Sequence, residues 1–317
     1  MTLEPYDILL LGDYFFDLIY TGLPAFPKLG CEVYSQDITT TGGAMFITAA
    51  ALSRLGARVG WAGQFGDDYY SQYVRDLAQR EGINLALARA LERPYRQVTT
   101  SLPFQGERAF ATYCDPDPAD TFDYWLETAM TASYRHLHLG GLTDYEQLAP
   151  LSAAARARGA TVSMDCQDVP HLHHPRDWAA LLALVDIFLP NAREARLVTG
   201  LDDIHDALRQ LMTWVDIAVI KDGENGAWVG HKYHRWHVPG IEAGPVVDTT
   251  GAGDCFNAGF LYGYICDGQP LETCARYGNI CGGLSVTGVG GATTAPTRAD
   301  LDRWLQALGS TNPHPSA

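Results

Sequence analysis

Residues 245–260 place small residues and a carboxylate together at the expected start of a helix. Gly251, Ala252 and Gly253 lead into an apolar segment that carries Asp254 in its first turn. Small residues before a helix leave N–H groups free and let an anion approach, and the helix dipole attracts negative charge. A carboxylate repels a phosphate bound there, so its presence indicates a second task. That task is to accept the proton of a hydroxyl that attacks the phosphate.

The same residues also permit a simpler interpretation. A Gly-rich turn with an aspartate capping its helix contains the same residue types, and most short glycine motifs have that role. The sequence has no Gly-x-x-x-x-Gly-Lys-Ser/Thr motif, so a P-loop enzyme is excluded. Phosphoryl transfer still needs a positioned hydroxyl, charge neutralisation and a base, and residues 251–254 offer the last two.

Residues 248–254, Asp-Thr-Thr-Gly-Ala-Gly-Asp, resemble the C-terminal signature of the ribokinase-like (PfkB-type) carbohydrate kinases. Other segments resemble elements of that family and occur in the same order, namely residues 42–56, 63–68, 191–194 and 221–226. The resemblance covers roughly residues 7–308. It implies a ribokinase-like three-layer α/β/α domain with a mostly parallel central sheet, plus a small β-sheet lid over the sugar.

The resemblance implies ATP-dependent phosphorylation of a hydroxymethyl group on a small sugar or sugar acid. Asp254 would be the general base, and the amides of residues 251–254 would form the anion hole. A nucleoside kinase of the same family is an alternative, since the apolar Phe15 and Ile47 could pack a base. A catalytically silent sugar- or nucleotide-binding homologue is an alternative of another class, but such a protein would not need the complete set of motifs.

The acceptor side of the site is implied by residues in the first 50 positions. Asp17 should bind two hydroxyls of the sugar, as an ionised carboxylate can. Asp13 is a second contact or a cap at the end of a strand. Gly42 and Gly43 would let the backbone approach the sugar closely. Ile47 stands where ribokinases have a sugar-binding asparagine, so the pocket is expected to be less polar than a ribose site.

Other departures from the family pattern concern charge. Ala44 replaces a lysine found in ribokinases and phosphosugar kinases, and Gly140 stands where ribokinases offer a carboxylate. These changes argue against ribose and against phosphorylated sugars as the acceptor. A basic residue of the lid, Arg96 or Arg108, could compensate for the missing lysine.

Two segments of the second half are expected at the nucleotide. Asn191 and Glu194 lie three apart at the start of a helix, where the family orders Mg²⁺ and its waters and where hard Mg²⁺ finds oxygen ligands. An acid at that helix end also suits the dipole without any metal. Lys221, Gly223 and Gly226 follow an apolar strand and should form a turn beside the nucleotide.

The resemblance implies two further binding roles. Asn279 falls where relatives touch the adenine side, although a solvated helix residue is the alternative. A monovalent cation such as K⁺ would be held by residues around the signature and a later loop: Asp248, Thr250, Ser285, Gly288, Gly290 and Thr294.

The bulk composition limits the kind of protein. A chain of 317 residues that is 47% hydrophobic can form a substantial core. Its net charge of −15 argues against binding nucleic acid or an anionic membrane surface. The seven cysteines show no Cys-x-x-Cys pair, which predicts free thiols in a reducing compartment. With no leader and no apolar run of ~18 residues, the chain is expected to be soluble and cytoplasmic.

Strand and helix patterns alternate along the chain. Apolar runs predict strands at residues 8–11, 58–62, 135–139, 161–165, 186–189 and 216–220, and a β-type run at 244–247. Helical patterns occur at residues 44–55, 69–81, 143–158, 192–199, 202–213 and 298–308, with two apolar helices within 251–287. This alternation predicts a parallel sheet with helices on both faces.

A second pattern predicts the lid. Short polar-apolar strands occur at residues 17–20, 31–39, 96–103 and 108–113, so the lid should be drawn from about 13–39 and 96–113. Lid sheets of the resembled family often pair between subunits, and a homodimer through the lid sheet is expected. Residues 1–308 are predicted to form a single kinase domain, and residues 309–317 a disordered tail.

Two histidine-rich segments contain the residue type that most often binds metals in proteins. The histidines of residues 231–237 have a spacing of three, which is wrong for one face of a strand, and the segment predicts a hairpin. The histidines of residues 171–174 are expected in a surface loop.

Overall fold

The computed structural model describes residues 4–105, 107–167 and 176–310. The strands are, in chain order, β1 (Tyr6–Leu11), β2 (Tyr14–Thr21), β3 (Asp37–Ala44), β4 (Val59–Ala62), β5 (Gln64–Phe65), β6 (Arg89–Ala90), β7 (Gln97–Phe104), β8 (Glu107–Cys114), β9 (Tyr134–Leu139), β10 (Thr161–Asp165), β11 (Ile187–Leu189), β12 (Ile217–Lys221), β13 (Ala227–His231) and β14 (His234–Val238). The helices are α1 (Met45–Leu55), α2 (Tyr69–Arg80), α3 (Thr121–Thr131), α4 (Tyr145–Ala157), α5 (Trp178–Leu182), α6 (Ala192–Thr199), α7 (Ile204–Leu211), α8 (Ala252–Leu261), α9 (Leu271–Ser285) and α10 (Arg298–Ser310).

Eight strands form the central sheet in the order β14-β13-β12-β11-β10-β9-β1-β4. The strands from β12 to β4 pair in parallel, and β13 and β14 continue antiparallel at one edge. Residues 8–11 of β1 are buried, as a continuous apolar run in a central parallel strand requires. The six strands predicted from apolar runs all lie in this sheet, because such runs can be satisfied only between two layers of helices.

Helices cover both faces of the central sheet. On one face α1, α8 and α9 pack with Ile8 and Leu10, and on the other α4, α6 and α7 pack with Leu9 and Leu11. Neighbouring side chains of a strand point to opposite faces, so β1 contributes to both cores. This arrangement confirms the predicted three-layer α/β/α fold with a mostly parallel sheet.

A separate four-stranded sheet confirms the predicted lid. Its order is β3-β2-β7-β8, with β2 antiparallel to β3 and parallel to β7. The bounds predicted for one lid strand, residues 31–39, are wrong, because β3 begins at Asp37 and continues to Ala44. Gly42 and Gly43 therefore lie inside the lid sheet, and α1 begins directly after it.

Two other predictions need correction. Residues 244–247 belong to no strand of the described chain, and Val246 and Val247 are exposed. Their β-branched side chains favour a strand only where a neighbouring strand offers pairing. The last helix, α10, continues through Ser310, two residues into the predicted tail, while residues 311–317 lie outside the described residues.

The described residues also test the predictions made for the histidine-rich segments, for membrane-spanning helices and for the cysteines. β13 and β14 form the predicted hairpin, with His231 opposite His234. No cluster of three metal-binding side chains occurs in the described ranges, and residues 171–174 lie outside them. Among the described helices, none is long and apolar enough to cross a membrane. The seven cysteines are free thiols, as expected.

Candidate active site

The anion-binding turn is built on a left-handed glycine. Gly251 has φ 72° and precedes the first turn of α8. A Cβ at this position would lie 2.6 Å from Cδ1 of Ile47 and 2.9 Å from Cα of Gly291. Only glycine combines that backbone conformation with so little space. The first N–H groups of α8, with Ala252 and Gly253 at its start, have no partner within the helix, so the turn can bind an anion.

Asp254 lies in this first turn and faces α1. Its Oδ1 accepts a hydrogen bond of 3.3 Å from Oγ1 of Thr48. Burial, with the nearby charge of Asp165, raises the pKa of Asp254 to about 7, while Lys221 and Thr48 act in the opposite direction. A carboxyl group with that pKa can take a proton near neutral pH and lose it again.

Lys221 ends β12 beneath the same turn. Its Nζ donates to Oδ1 of Asp165 at 2.9 Å and to Oδ1 of Asn257 at 3.2 Å. Nδ2 of Asn257 donates to Oδ2 of Asp165 at 2.7 Å, which closes a ring of three side chains. Although burial lowers it, the carboxylates of Asp165 and Glu194 raise the pKa of Lys221 above its ordinary value. The lysine is therefore charged.

Asn191 and Glu194 form a complete capping box at the start of α6. The N–H of Glu194 donates to Oδ1 of Asn191 at 2.9 Å, and the N–H of Asn191 donates to Oε2 of Glu194 at 2.8 Å. The structural role predicted for an acid at this helix end is thus present. Both residues also line the cavity described next, so the capping box fixes their side chains at its wall.

A cavity of about 680 Å³ joins these elements. The predicted nucleotide-side residues Lys221, Gly223, Gly226 and Asn279 line it together with Asp254. Asn279 is buried and its Nδ2 donates to the carbonyls at residues 238 and 239, so the expectation of a solvated helix residue is wrong. The first turn of α8 and the turn after β12 both line the cavity, and its volume gives room for a phosphate-containing ligand.

Asp17 stands in the lid strand β2, close to the signature loop. A Cβ at Gly43 would lie 2.3 Å from Oδ2 of Asp17. The carboxylate of Asp17 can therefore occupy this position only because residue 43 is a glycine. Gly42 is restricted in the same way by the ring of Phe46. Burial, with the charge of Asp248, raises the pKa of Asp17 to about 7.

Asp13 is held by protein partners. Its Oδ2 accepts a hydrogen bond of 2.9 Å from the hydroxyl of Tyr95, and its Oδ1 accepts one of 3.3 Å from Gln64. The hydroxyl of Tyr95 also lies 2.6 Å from Oδ1 of Asp117. Burial and the charge of Asp117 raise the pKa of Asp13 to about 7. Both oxygens of Asp13 are thus bound by side chains of the protein, which favours a structural role near the end of β1. A contact between Asp13 and the acceptor stays a prediction.

Two residues in and near the acceptor region differ from expectation. The side chain of Ile47 is buried and packs against Gly251, so it supports the anion-binding turn. Of the two basic lid residues, Arg96 is bound to Asp115, with Nε 2.9 Å from Oδ2. Arg108 lines the cavity, and its Nη1 donates to Oγ1 of Thr250 at 3.3 Å. Arg108 is therefore the lid cation that meets the signature loop.

The loops predicted to hold a monovalent cation are hydrogen-bonded to each other. Oδ1 of Asp248 accepts from the N–H and the hydroxyl of Thr250, and Oδ2 accepts from the N–H of Gly290 at 3.0 Å. The hydroxyl of Thr294 donates to the carbonyl of Ser285 at 2.7 Å, and Gly288 packs on the same threonine. The structure brings these six residues together, and cation binding there stays a prediction.

Sequence reasoning missed three side chains of the site: Thr48, Asp165 and Asn257. Asp165 ends β10 as Lys221 ends β12, and the carboxyl ends of parallel strands share one edge of the sheet. Its position at the carboxyl end of a predicted parallel strand could have identified Asp165 as a site residue. Thr48 and Asn257 lie inside apolar helices, where only the packing of α1 and α8 reveals them.

Comparisons with known proteins agree with this geometry. Residues 32–298 match the pfkB family of carbohydrate kinases. A fructokinase of Klebsiella pneumoniae is 31% identical over 288 residues, which cover 83% of this chain and 91% of that protein. Two solved structures share the fold: Arabidopsis thaliana ribokinase with ribose and ATP (TM-score 0.77, 20% identity, covering 96% and 99% of the two chains) and a Burkholderia thailandensis nucleoside kinase with inosine (TM-score 0.76, 24% identity, 95% and 97%).

The family match spans most of the chain and includes the left-handed glycine Gly251, the anion-binding turn and the carboxyl group of Asp254 described above. The chain therefore belongs to the pfkB family of carbohydrate kinases.

Proposed function

We propose that this phosphotransferase transfers the γ-phosphoryl group of ATP to a hydroxymethyl group of a small sugar or sugar acid. The observation that carries the proposal is the position of Asp254, a partly buried carboxyl group with a pKa of about 7 beside the N–H groups of residues 251–254. Asp254, Ala252 and Gly253 line the same cavity. A base and an anion-binding turn in one place are what the attack of a hydroxyl on a phosphate requires.

In the proposed reaction Asp254 takes the proton of the acceptor hydroxyl. The hydroxyl oxygen forms a bond to the γ-phosphorus while the bond to the β–γ bridging oxygen breaks, and ADP leaves with that electron pair. The amides of residues 251–254 stabilise the charge on the transferred group. Asp17 holds the acceptor so that its hydroxyl points at the phosphorus, which converts the encounter into a step within one complex.

The chain offers suitable groups for Mg²⁺. Glu194 is buried at the cavity with Asn191, and carboxylate and amide oxygens are the ligands that Mg²⁺ accepts directly or through water. When bound, the ion would neutralise phosphate charge. The capping box fixes both side chains, so they would hold the ion without rearrangement of α6. For K⁺ the oxygen atoms around Asp248 and Thr294 are the proposed ligands.

The position of Arg108 supports an acidic acceptor. This lid cation donates to Thr250 of the signature loop and lines the same cavity as Asp254. A carboxylate on the sugar would pair with it, whereas a neutral sugar would not need it. A nucleoside acceptor is the second candidate because the same fold occurs in a nucleoside kinase with inosine. The burial of Ile47 against Gly251 removes one of the two side chains expected to pack a base.

Release of ADP from Mg·ATP with a panel of acceptors tests the proposed function. D-Fructose, D-ribose, a six-carbon 2-keto sugar acid, inosine and adenosine represent the three acceptor classes. We expect turnover of a sugar or sugar acid, and its loss in Asp254→Asn. Turnover of a nucleoside but of no sugar would reverse the order of the two candidates. Nucleotide binding without turnover of any acceptor would favour the catalytically silent alternative.

We further propose that two copies pair through the lid sheet. Ile38 of β3 and Phe110 and Tyr113 of β8 are each about half exposed, which is costly for apolar side chains of a monomer. Light scattering at micromolar concentration should give about twice the chain mass of 34.6 kDa, and Ile38→Glu should lower it. A mass of one chain for the unmodified protein would contradict the dimer.

A further inference from the structure

Lys221 differs from the other lysines of the chain in its surroundings. The sequence contains three lysines, and Lys28 and Lys232 are exposed. The side chain of Lys221 is only 11% exposed and lies under the first turn of α8. Burying a flexible, strongly hydrated ammonium group is unfavourable unless fixed partners replace its water. The ring formed with Asp165 and Asn257 supplies those partners.

The ring leaves one donor of the ammonium group for a ligand. An ammonium has three N–H donors, and those pointing at Asp165 and Asn257 account for two of them in the described chain. A Cβ built on Gly253 would lie 3.4 Å from Nζ, so the ammonium group is adjacent to the anion-binding turn. Lys221 also lines the cavity beside Asp254. An anion bound to the turn would come within reach of the remaining donor.

The site contains more acidic than basic side chains, so a bound phosphoryl group needs a cation near it. Asp165, Glu194 and Asp254 bring three carboxyl groups to the end of the cavity where the phosphates of ATP are proposed to bind. A dianionic phosphoryl group cannot approach them without compensation. Lys221 is the lysine that contacts both a carboxylate of this group and the wall of the anion-binding turn.

We propose that Lys221 is a catalytic residue that binds the phosphoryl group during transfer, and that Asp165 and Asn257 are positioning residues that hold its ammonium beside the first turn of α8. The inference deepens the proposed function and rests on it. Lys221 keeps its protons throughout, because the proton of the acceptor goes to Asp254. Its contribution is electrostatic and is largest when the phosphorus is transferred between the two oxygens.

Substitution of Lys221 separates this role from plain nucleotide binding. Lys221→Gln retains a donor for Asp165 but has no charge, so the fold should persist in a less stable form. Because Asp165 loses its cation, the melting temperature should be lower than that of the unmodified protein, and kinetics are compared well below both melting temperatures. With the acceptor found in the ADP-release panel, we expect kcat to fall about 100- to 1000-fold, as for loss of one oxyanion donor, with little change in the KM of the sugar. Lys232→Gln, at the exposed turn between β13 and β14, is the matched control and should behave as the unmodified enzyme. A kcat of Lys221→Gln within threefold of the unmodified value would overturn the proposal.

The two positioning residues are tested through their dependence on Lys221. Asp165→Asn and Asn257→Ala should each lower kcat about tenfold when Lys221 is present. In a Lys221→Gln background neither should lower kcat further, because the group they hold is already absent. Equal losses in both backgrounds would show that the two residues act independently of the lysine, and the positioning role would be wrong.

A binding experiment keeps the inference testable without any acceptor. Calorimetry with Mg·ADP and with Mg·AMP-PNP compares nucleotides that lack and contain a γ-phosphoryl group. Lys221→Gln should lose at least tenfold more affinity for Mg·AMP-PNP than for Mg·ADP. Equal losses would overturn the role of Lys221, whereas tight Mg·AMP-PNP binding without turnover of any acceptor would contradict only the proposed function.

Discussion

Oγ1 of Thr48 lies 3.3 Å from Oδ1 of Asp254, so a side chain of α1 contacts the carboxyl group at the start of α8. The two residues are 206 positions apart in the chain. α1 begins directly after β3, the lid strand that contains Gly42 and Gly43. The helix that carries this hydrogen bond is thus continuous with the lid strand paired to β2, which contains Asp17, the proposed acceptor ligand.

Thr48→Val tests this connection. The valine keeps the shape of threonine and removes the hydroxyl, so Asp254 loses a partner that stabilises its charged form. We expect kcat to fall by about two- to tenfold, the value of one hydrogen bond, with the acid limb of the pH profile moved to higher pH. Thr128→Val is a matched control, since this buried threonine of α3 bonds only locally, to the carbonyl of Tyr124. Equal effects of the two substitutions would contradict a specific role for Thr48.

The pH dependence of kcat/KM should show a base that titrates near neutrality. Burial and the charge of Asp165 raise the pKa of Asp254 to about 7. Asp254 must be ionised to accept a proton, and Asp17, whose pKa is also about 7, must be ionised to bind hydroxyls as proposed. The rate should therefore be constant well above pH 7 and fall between tenfold and 100-fold per unit below it. Asp165→Asn removes a like charge and should move the limb to lower pH. A limb near pH 4 in the unmodified enzyme would contradict the raised pKa of Asp254.

Two glycines of the anion-binding turn should respond differently to substitution. Gly251→Ala places a methyl group at a φ of 72° and within 2.6 Å of Ile47, so we expect a loss of at least ~1–2 kcal/mol of unfolding free energy. Gly253→Ala lies within α8, where the new Cβ meets the end of the Lys221 side chain, with Nζ at 3.4 Å and Cε at 3.9 Å. It should leave stability unchanged or raise it by up to ~1 kcal/mol, as alanine does in a helix. Urea midpoints measure both changes, and a Gly251→Ala midpoint equal to the unmodified one would mean that the turn rearranges.

The fold was largely predictable because its signals are local. The apolar run at residues 8–11 can be satisfied only in a strand with two covered faces, and the amphipathic pattern at residues 69–81 only in a surface helix. Residues 244–247 show the limit of such signals. The sequence there favours an extended chain, but a strand also needs a partner, and the described structure offers none.

The site was predictable where a motif carries it and not where it depends on packing. The turn at residues 251–254 is recognisable because its glycine and acid lie next to each other in sequence. The ring of Lys221, Asp165 and Asn257 joins two strands and a helix that are separated by up to 92 positions. The strand order, which puts β10 and β12 on either side of β11, brings Asp165 near Lys221, and the packing of α8 adds Asn257.

Asp254 and Asp17 should differ in the kinetic constant that they control. In the proposed reaction Asp254 accepts a proton only during the attack, so Asp254→Asn should lower kcat by about 100-fold or more while the KM of the sugar changes little. Asp17 is proposed to hold hydroxyls before the reaction, so Asp17→Ala should raise the KM of the sugar about 10- to 100-fold, the loss of one charged hydrogen-bond partner. The affinity for Mg·ATP should be unchanged in Asp17→Ala, because Asp17 lies on the lid side of the site.

Steady-state kinetics of both variants with the same acceptor decide between these roles. The charge of Asp17 contributes to the raised pKa of Asp254, so the two carboxyl groups are close enough to influence each other. Asp17→Asn therefore serves as a second variant, since it removes the charge and keeps a group that can hydrogen-bond a hydroxyl. Should Asp254→Asn retain more than about a tenth of kcat, general base catalysis by this residue is wrong, because that contribution alone is about 100- to 10,000-fold.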